Sequence, residues 1–146
     1  MNTELGHISI KDSVDGVNSV SFHETTEVQN EAAERQLREY FNGQRVNFDL
    51  NLDPHGTLFQ KQVWDEMQKI PFGETASYAE VAKRVGRPEA WRAVANACGA
   101  NPILIIIPCH RVVGSHGQLG GYAAGIDRKL WLLEHEAKIR SRIDRK

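Results

Sequence analysis

Cys109 and His110 are neighbours, and they sit at the end of an apolar run: Ile103-Leu104-Ile105-Ile106-Ile107-Pro108-Cys109-His110-Arg111-Val112-Val113-Gly114. A thiolate is a strong nucleophile, and an adjacent imidazole can take the thiol proton. The five aliphatic residues are too few to cross a membrane and suit a buried strand or core segment. Pro108 cannot donate to a ladder and so ends the run. A nucleophile at the exit of a rigid apolar element has its direction fixed by that element. A free cysteine more commonly acts as a small buried hydrophobe, so the dipeptide alone leaves both readings open.

The only other cysteine of the 146-residue chain is Cys98. Two thiols so close in sequence form no disulfide framework and point to a reducing, cytoplasmic setting. No signal-peptide core or long apolar span is present, so no membrane partner is expected. The six histidines are scattered, and no Cys/His spacing resembles a metal site. With 40% hydrophobic and 25% charged residues, the chain reads as a soluble globular protein with a real core. The net charge of −1 hides an asymmetry. Residues 1–56 carry four Lys/Arg against ten Asp/Glu, and residues 57–146 carry fourteen against nine. A polyanion-facing surface would therefore lie after residue 56, although Lys138, Arg140, Arg142, Arg145 and Lys146 belong to a terminal tail that solvent alone could explain.

The elements that must position the thiol follow from pattern and caps. His7 to Lys11 and Val17 to Phe22 alternate about Asp15-Gly16, a hairpin signature. Asn30 can cap a helix through Phe41, with Ala33, Leu37, Tyr40 and Phe41 on one face. Val46, Phe48, Leu50 and Leu52 alternate and predict a third strand. Asp53-Pro54-His55-Gly56 reads as a linker, dividing domains 1–56 and 57–146. Beyond it, Thr57 can cap a helix through Phe59, Val63, Trp64 and Met67. Ser77-Tyr78-Ala79-Glu80 has the capping-box pattern and opens a helix that ends at Gly86. A second helix, Glu89 to Ala100, completes a helix-turn-helix. It is crowded with small residues, including Ala90, Ala93, Ala95, Ala97 and Gly99, and Arg92 rises among them. A long cation on a small-residue face can enter a base stack; it can equally form a surface salt bridge.

Taken together, Ser77-Tyr78, Arg92-Ala93-Val94, Asn101-Pro102, Pro108-Cys109-His110-Arg111-Val112, Gly121-Tyr122 and Leu132-Leu133-Glu134-His135-Glu136 closely resemble the O6-alkylguanine-DNA alkyltransferase family, the methylated-DNA–protein-cysteine methyltransferases. The resemblance runs in register from about residue 57 to Glu136. It implies an α+β fold: a small N-terminal ribonuclease H-like sheet-plus-helix domain, shortened between Phe22 and Asn30, then a mainly helical domain with a winged-helix-like helix-turn-helix.

The resemblance also implies a set of roles. Cys109 matches the alkyl acceptor, His110 the base acting through a water, and Glu136 the carboxylate that orients the imidazole. Glu134 is the rival carboxylate by composition. His110 and Glu136 are expected to lower the thiol pKa. Asn101 matches the hinge asparagine. Tyr78 matches the tyrosine that meets guanine N3 and the flipped nucleotide's phosphate. Tyr122 matches the pocket wall, and the Cys109 and Val112 carbonyls match acceptors for the exocyclic amine. Ala123 keeps the backbone N–H that meets O6 but lacks the hydroxyl of some members. Arg92 matches the finger that replaces the flipped base, and Ala93, Ala95 and Asn96 share its minor-groove face.

The implied activity is irreversible, single-turnover transfer of an alkyl group from O6-alkylguanine, and O4-alkylthymine, in duplex DNA to Cys109. No organic cofactor is expected. Some relatives carry a structural zinc in the N-terminal domain, but residues 1–56 contain no cysteine, so no metal is expected either. A monomer is expected. Two other classes fit parts of the pattern. Non-catalytic lesion-binding relatives carry tryptophan where this chain has Cys109. A cysteine hydrolase could use Cys109, His110 and Glu136 with repeated turnover.

Overall fold

The computed structural model describes residues 1–24 and 27–145. Thr25 and Thr26, within the shortened connection, and Lys146 of the basic tail lie outside the described residues. The chain divides into two compact units: residues 1–55 with 102–106, and residues 56–101 with 107 onward. Pro102 to Ile106 thus joins the first unit, whereas the sequence reading keeps it in the second domain.

In the first unit β1 (Asn2–Thr3), β2 (Gly6–Ser13) and β3 (Gly16–Phe22) form an antiparallel sheet in that order. The hairpin turn requires glycine: Gly16 has φ +138°, and a Cβ there would lie 2.3 Å from the Asn51 carbonyl oxygen. Alternation sends Ile8 and Ile10 into the core, and the irregular pairing opposite Lys11 and Asp12 lets both Val17 and Val20, three residues apart, join them. Helix α1 (Glu31–Phe41) begins at Asn30, whose side chain accepts from the Ala33 N–H at 2.8 Å, and buries Ala33, Leu37 and Tyr40.

One expectation fails here, and one open reading is decided. Residues 46–52 alternate in burial, as the pattern requires, but they form no strand. Their only bridge to the sheet among the described residues is Leu52 to Val17. The buried Gln36 amide takes the place of a ladder: its Nε2 donates to the Asp49 carbonyl at 3.0 Å and its Oε1 accepts the Asp49 N–H at 2.8 Å. The run Ile103 to Ile107 is likewise a core segment and not a strand. Ile103 bridges Val20, after which the chain turns at Ile105, whose φ is +72°. A β-branched residue in this region carries strain of about 1–3 kcal/mol. Burial of the Ile105 side chain, 0% exposed, offsets it.

The second unit starts with α2 (Leu58–Met67). Thr57 and Gln60 make its reciprocal capping box, and Val63, Trp64 and Met67 are buried. Trp64 Nε1 donates to the Ala97 carbonyl at 2.8 Å, tying α2 to the helix beyond. Strand β4 (Ala76–Ser77) leads into α3 (Tyr78–Arg84), and the Ser77 hydroxyl accepts from the Glu80 N–H at 3.0 Å. Gly86, at φ +80°, turns the chain. Helix α4 (Trp91–Gly99) starts two residues later than expected, because residues 88 and 89 are used in a turn closed by Ala90 N–H to the Arg87 carbonyl, 2.9 Å. A short strand β5 (Val112–Val113) pairs parallel with β4, and α5 (Ile126–Asp144) follows. No described helix is long and apolar enough to cross a membrane.

Candidate active site

Pro108 passes the chain into a single 3-10 turn, Cys109–Arg111. Three residues per turn send successive side chains in three directions. Cys109 faces a cavity of about 330 Å³, within the usual range for small-molecule sites. His110 and Arg111 instead face α5, where both meet Glu136.

The cavity wall is built from Tyr78 at the start of α3, from Ala95, Asn96, Cys98 and Gly99 on α4, and from the segment Gly121, Tyr122 and Ala123. The structure therefore brings Cys109, Tyr78, Tyr122, Ala123, Ala95 and Asn96 to one place. Val112 is not part of that wall; its carbonyl accepts from Lys129 Nζ at 2.7 Å. Arg92 and Ala93 lie outside the cavity on the exposed face of α4, with the Arg92 guanidinium 5.1 Å from the Trp91 ring centre. Asn101 Nδ2 donates to the Ile107 carbonyl at 2.8 Å and to Cys109 Sγ at 3.1 Å. One amide thus holds both the end of the apolar run and the thiol.

Behind the thiol lies a buried charge cluster. His110 Nε2 is 2.7 Å from Glu136 Oε2. Arg111 donates from Nε to Oε1 at 2.8 Å and from Nη2 to Oε2 at 3.1 Å. The Gly73 N–H adds a donor to Oε1 at 3.2 Å. Burial alone would raise the Glu136 carboxyl; the hydrogen bond from His110 and the Arg111 guanidinium overcome it and hold the acid well below the usual carboxylate range. Burial pushes the His110 pKa down, against the pull of Glu136. A neutral imidazole donating from Nε2 to an anionic carboxylate satisfies both. It leaves Nδ1 as a lone-pair nitrogen, buried and without a hydrogen-bond partner among the described residues. Glu134 is exposed and takes no part.

The thiol departs from expectation. Burial pushes Cys109 up to about 11, with the Asn101 hydrogen bond and the Lys129 charge opposing it. The expected lowering is therefore absent in this structure: desolvation of the thiolate outweighs the polar groups around it. Cys98 is pushed further, to about 12, and its Sγ rests 3.5 Å from Met67 Sδ. Alkylation of Cys109 by iodoacetamide should accordingly be slower at pH 8 than that of a free cysteine. It should still be climbing at pH 10, about tenfold per pH unit. A plateau near pH 8, read by peptide mass analysis, would contradict this.

Sequence reasoning missed Lys129. It is 0% exposed, and its ammonium donates to the Val112 and Gly121 carbonyls at 2.7 and 3.1 Å, clasping both ends of the segment that carries the cavity wall. In the sequence Arg111 stands only as part of a motif; the structure gives it Glu136 as a partner. The signal for Lys129 was available: Lys129, Leu132, Glu136 and Ile139 follow helical spacing and share the buried face of α5. A lysine and a glutamate in an apolar stripe demand partners.

The N-terminal residues 1–54 match the ribonuclease-like domain of 6-O-methylguanine DNA methyltransferase, and residues 58–138 match the DNA-binding domain of the same protein. A methylated-DNA–protein-cysteine methyltransferase of Methanosarcina acetivorans is 54% identical over 104 residues, covering 71% of this chain and 67% of that one. The crystal structure of Mycobacterium tuberculosis O6-methylguanine methyltransferase superposes with a TM-score of 0.78 at 40% identity, covering 90% of this chain and 93% of the other. The same protein in complex with DNA gives 0.80 at 41% identity, with 91% and 94% covered. A DNA-binding domain matched over α2 to α5, a thiol on a cavity wall and these relatives converge on one assignment: the chain belongs to the O6-methylguanine-DNA methyltransferase family, whose members repair DNA by transferring alkyl groups to a cysteine of their own.

Proposed function

We propose that this protein removes the alkyl group from O6-alkylguanine, and from O4-alkylthymine, in duplex DNA, with Cys109 as the acceptor. One observation carries the reading: Cys109 lines a cavity while the next residue presents an imidazole nitrogen without a hydrogen-bond partner among the described residues, backed by a buried carboxylate. The thiol proton passes to His110 Nδ1 through a bound water. Glu136 stabilises the imidazolium that results. The thiolate attacks the alkyl carbon, the carbon–O6 bond breaks, and its electron pair stays on the purine. Tyr78 supplies the proton that the departing guanine needs. The thioether product is stable, so the protein reacts once. It acts as a cytoplasmic monomer without a cofactor.

The test is a duplex carrying O6-methylguanine, followed by mass analysis. One methyl group on the Cys109 peptide, with product equal to protein consumed, supports the reading. Repeated turnover would favour a hydrolase, and binding without transfer a lesion-recognition protein.

A thiol buried in a cavity cannot reach a base inside a duplex, so the nucleotide must be flipped. Arg92, exposed at the start of α4, is the finger proposed to hold the stack open. Arg92→Ala should slow repair of duplex O6-methylguanine about tenfold to a hundredfold more than reaction with free O6-benzylguanine, because only the duplex requires unstacking. Equal slowing of both substrates would reduce Arg92 to a structural residue of α4.

A further inference from the structure

Tyr78 is a wall shared by two cavities. One is the Cys109 cavity; the second, of about 380 Å³, is bounded by Trp91, Ser115, His116 and Gln118. The second is a built site. Its floor is a tight turn in which the Gly114 N–H donates to the Gln118 carbonyl at 2.8 Å and the Gln118 side chain accepts the His116 N–H at 3.2 Å. Its flank is Trp91, the first residue of α4 and 47% exposed. An indole left half in water at the head of a DNA-facing helix is a stacking platform, since every base has a π-face. One face of this indole is covered by the Arg92 guanidinium. An Arg92 that enters the base stack must leave Trp91 and so expose that face.

We propose that this second cavity holds the nucleobase next to the flipped nucleotide on the lesion strand, stacked on Trp91, with Ser115, His116 and Gln118 meeting its edge. The occupant follows from continuity with the DNA interface. A nucleotide in the Cys109 cavity lies against Tyr78, which also lines the second cavity, so that cavity is within reach of its chain neighbour. The subsite is apolar on its aromatic side and uncharged at Ser115 and Gln118, which suits a base better than a phosphate. The inference rests on the proposed function, in that it assumes a flipped nucleotide beside Tyr78.

The experiment uses single-stranded oligonucleotides carrying O6-methylguanine, with an abasic residue placed on its 5′ or its 3′ side. Binding is measured in the Cys109→Ser protein, so that no reaction intervenes. The abasic neighbour should weaken binding about tenfold on one side only, the loss of one stacked base. Adding Trp91→Ala should weaken the intact oligonucleotide equally and abolish the effect of the abasic residue. Trp91→Phe should restore part of both. Free O6-benzylguanine should react normally with Trp91→Ala in the otherwise wild-type protein, showing that the fold survives. An abasic residue without effect on either side, or an unchanged effect in Trp91→Ala, would overturn the subsite. Failure of methyl transfer by the wild-type protein would instead strike the proposed function, so the two failures are distinct.

Discussion

Cys109→Ser is expected to abolish methyl transfer while leaving affinity for lesion-bearing DNA within about twofold, because a near-isosteric exchange at one buried atom leaves the binding surface intact. The serine hydroxyl is smaller and remains within reach of the Asn101 amide, so the buried oxygen keeps a hydrogen-bond donor and folding stability should change by no more than about 1 kcal/mol. Chemistry, by contrast, is lost at its source. An alkoxide is far harder to form than a thiolate, and a thiol already raised to about 11 by burial marks a site where an anion is costly. The parallel variant, Cys98→Ser, should retain transfer. Cys98 lines the same cavity, but its sulfur lies against Met67, its pKa is the higher of the two, and no imidazole follows it in the chain. Peptide mass analysis after reaction with an O6-methylguanine duplex reads both. A methyl group on Cys98, or substantial transfer by Cys109→Ser, would end the assignment.

The thiol, its histidine and the helix ends around them were legible because each depends on neighbours in sequence. Asn30, Thr57 and Ser77 cap the helices expected of them, since a cap is a bond across three residues. Residues 46–52 show the limit of such reading. Alternation reports which side chains turn away from solvent, and here Val46, Phe48, Leu50 and Leu52 are the half-buried ones; it does not report whether a backbone has a ladder partner. The Gln36 amide, thirteen residues away, replaces that ladder. Ile105 shows the same limit. Five consecutive aliphatics describe a core segment, but no local signal places the third in a left-handed turn.

The electrostatics of the site were the least legible part. A histidine and a glutamate near a cysteine suggest a lowered thiol pKa, yet the sign depends on burial, which is a property of the assembled unit. Desolvation of Cys109 outweighs the Asn101 hydrogen bond and the Lys129 ammonium. In the proposed reaction this has a consequence: a protonated thiol is protected from chance electrophiles, and His110 would take its proton only when a purine fills the cavity. Lys129 and Arg111 escaped for a related reason. A buried cation is intelligible only with its partners, here the Val112 and Gly121 carbonyls and the Glu136 carboxylate.

Glu136→Gln should slow transfer at least about a hundredfold, by analogy with the loss when a triad aspartate becomes an amide and the histidine is left in the wrong tautomer. The wild-type carboxylate accepts from His110 Nε2 and so keeps Nδ1 free to receive a proton. A glutamine can turn its NH₂ toward Nε2, which moves the imidazole proton to Nδ1 and removes the base. The same change strands the Arg111 guanidinium, 6% exposed, without its anion. Losing one partner of a buried pair costs about 3–5 kcal/mol, so stability at pH 7 should fall markedly. The pH dependence supplies the sign. The folded Glu136 pKa lies below its unfolded value, so its contribution is present above the usual carboxylate pKa and is lost as pH falls through and below that range. The folded His110 pKa is also lowered; below about pH 6.5 the unfolded chain binds a proton that the folded one refuses, which again destabilises the fold as pH falls. Wild-type stability should therefore decline from pH 7 toward pH 3. The variant should start lower and decline less steeply, because only the histidine component remains. Urea titrations at several pH values, alongside single-turnover rates, measure both. An acid limb as steep as wild type together with an unchanged transfer rate would leave Glu136 as packing only, and the proton relay would then need another anion to stabilise the His110 imidazolium.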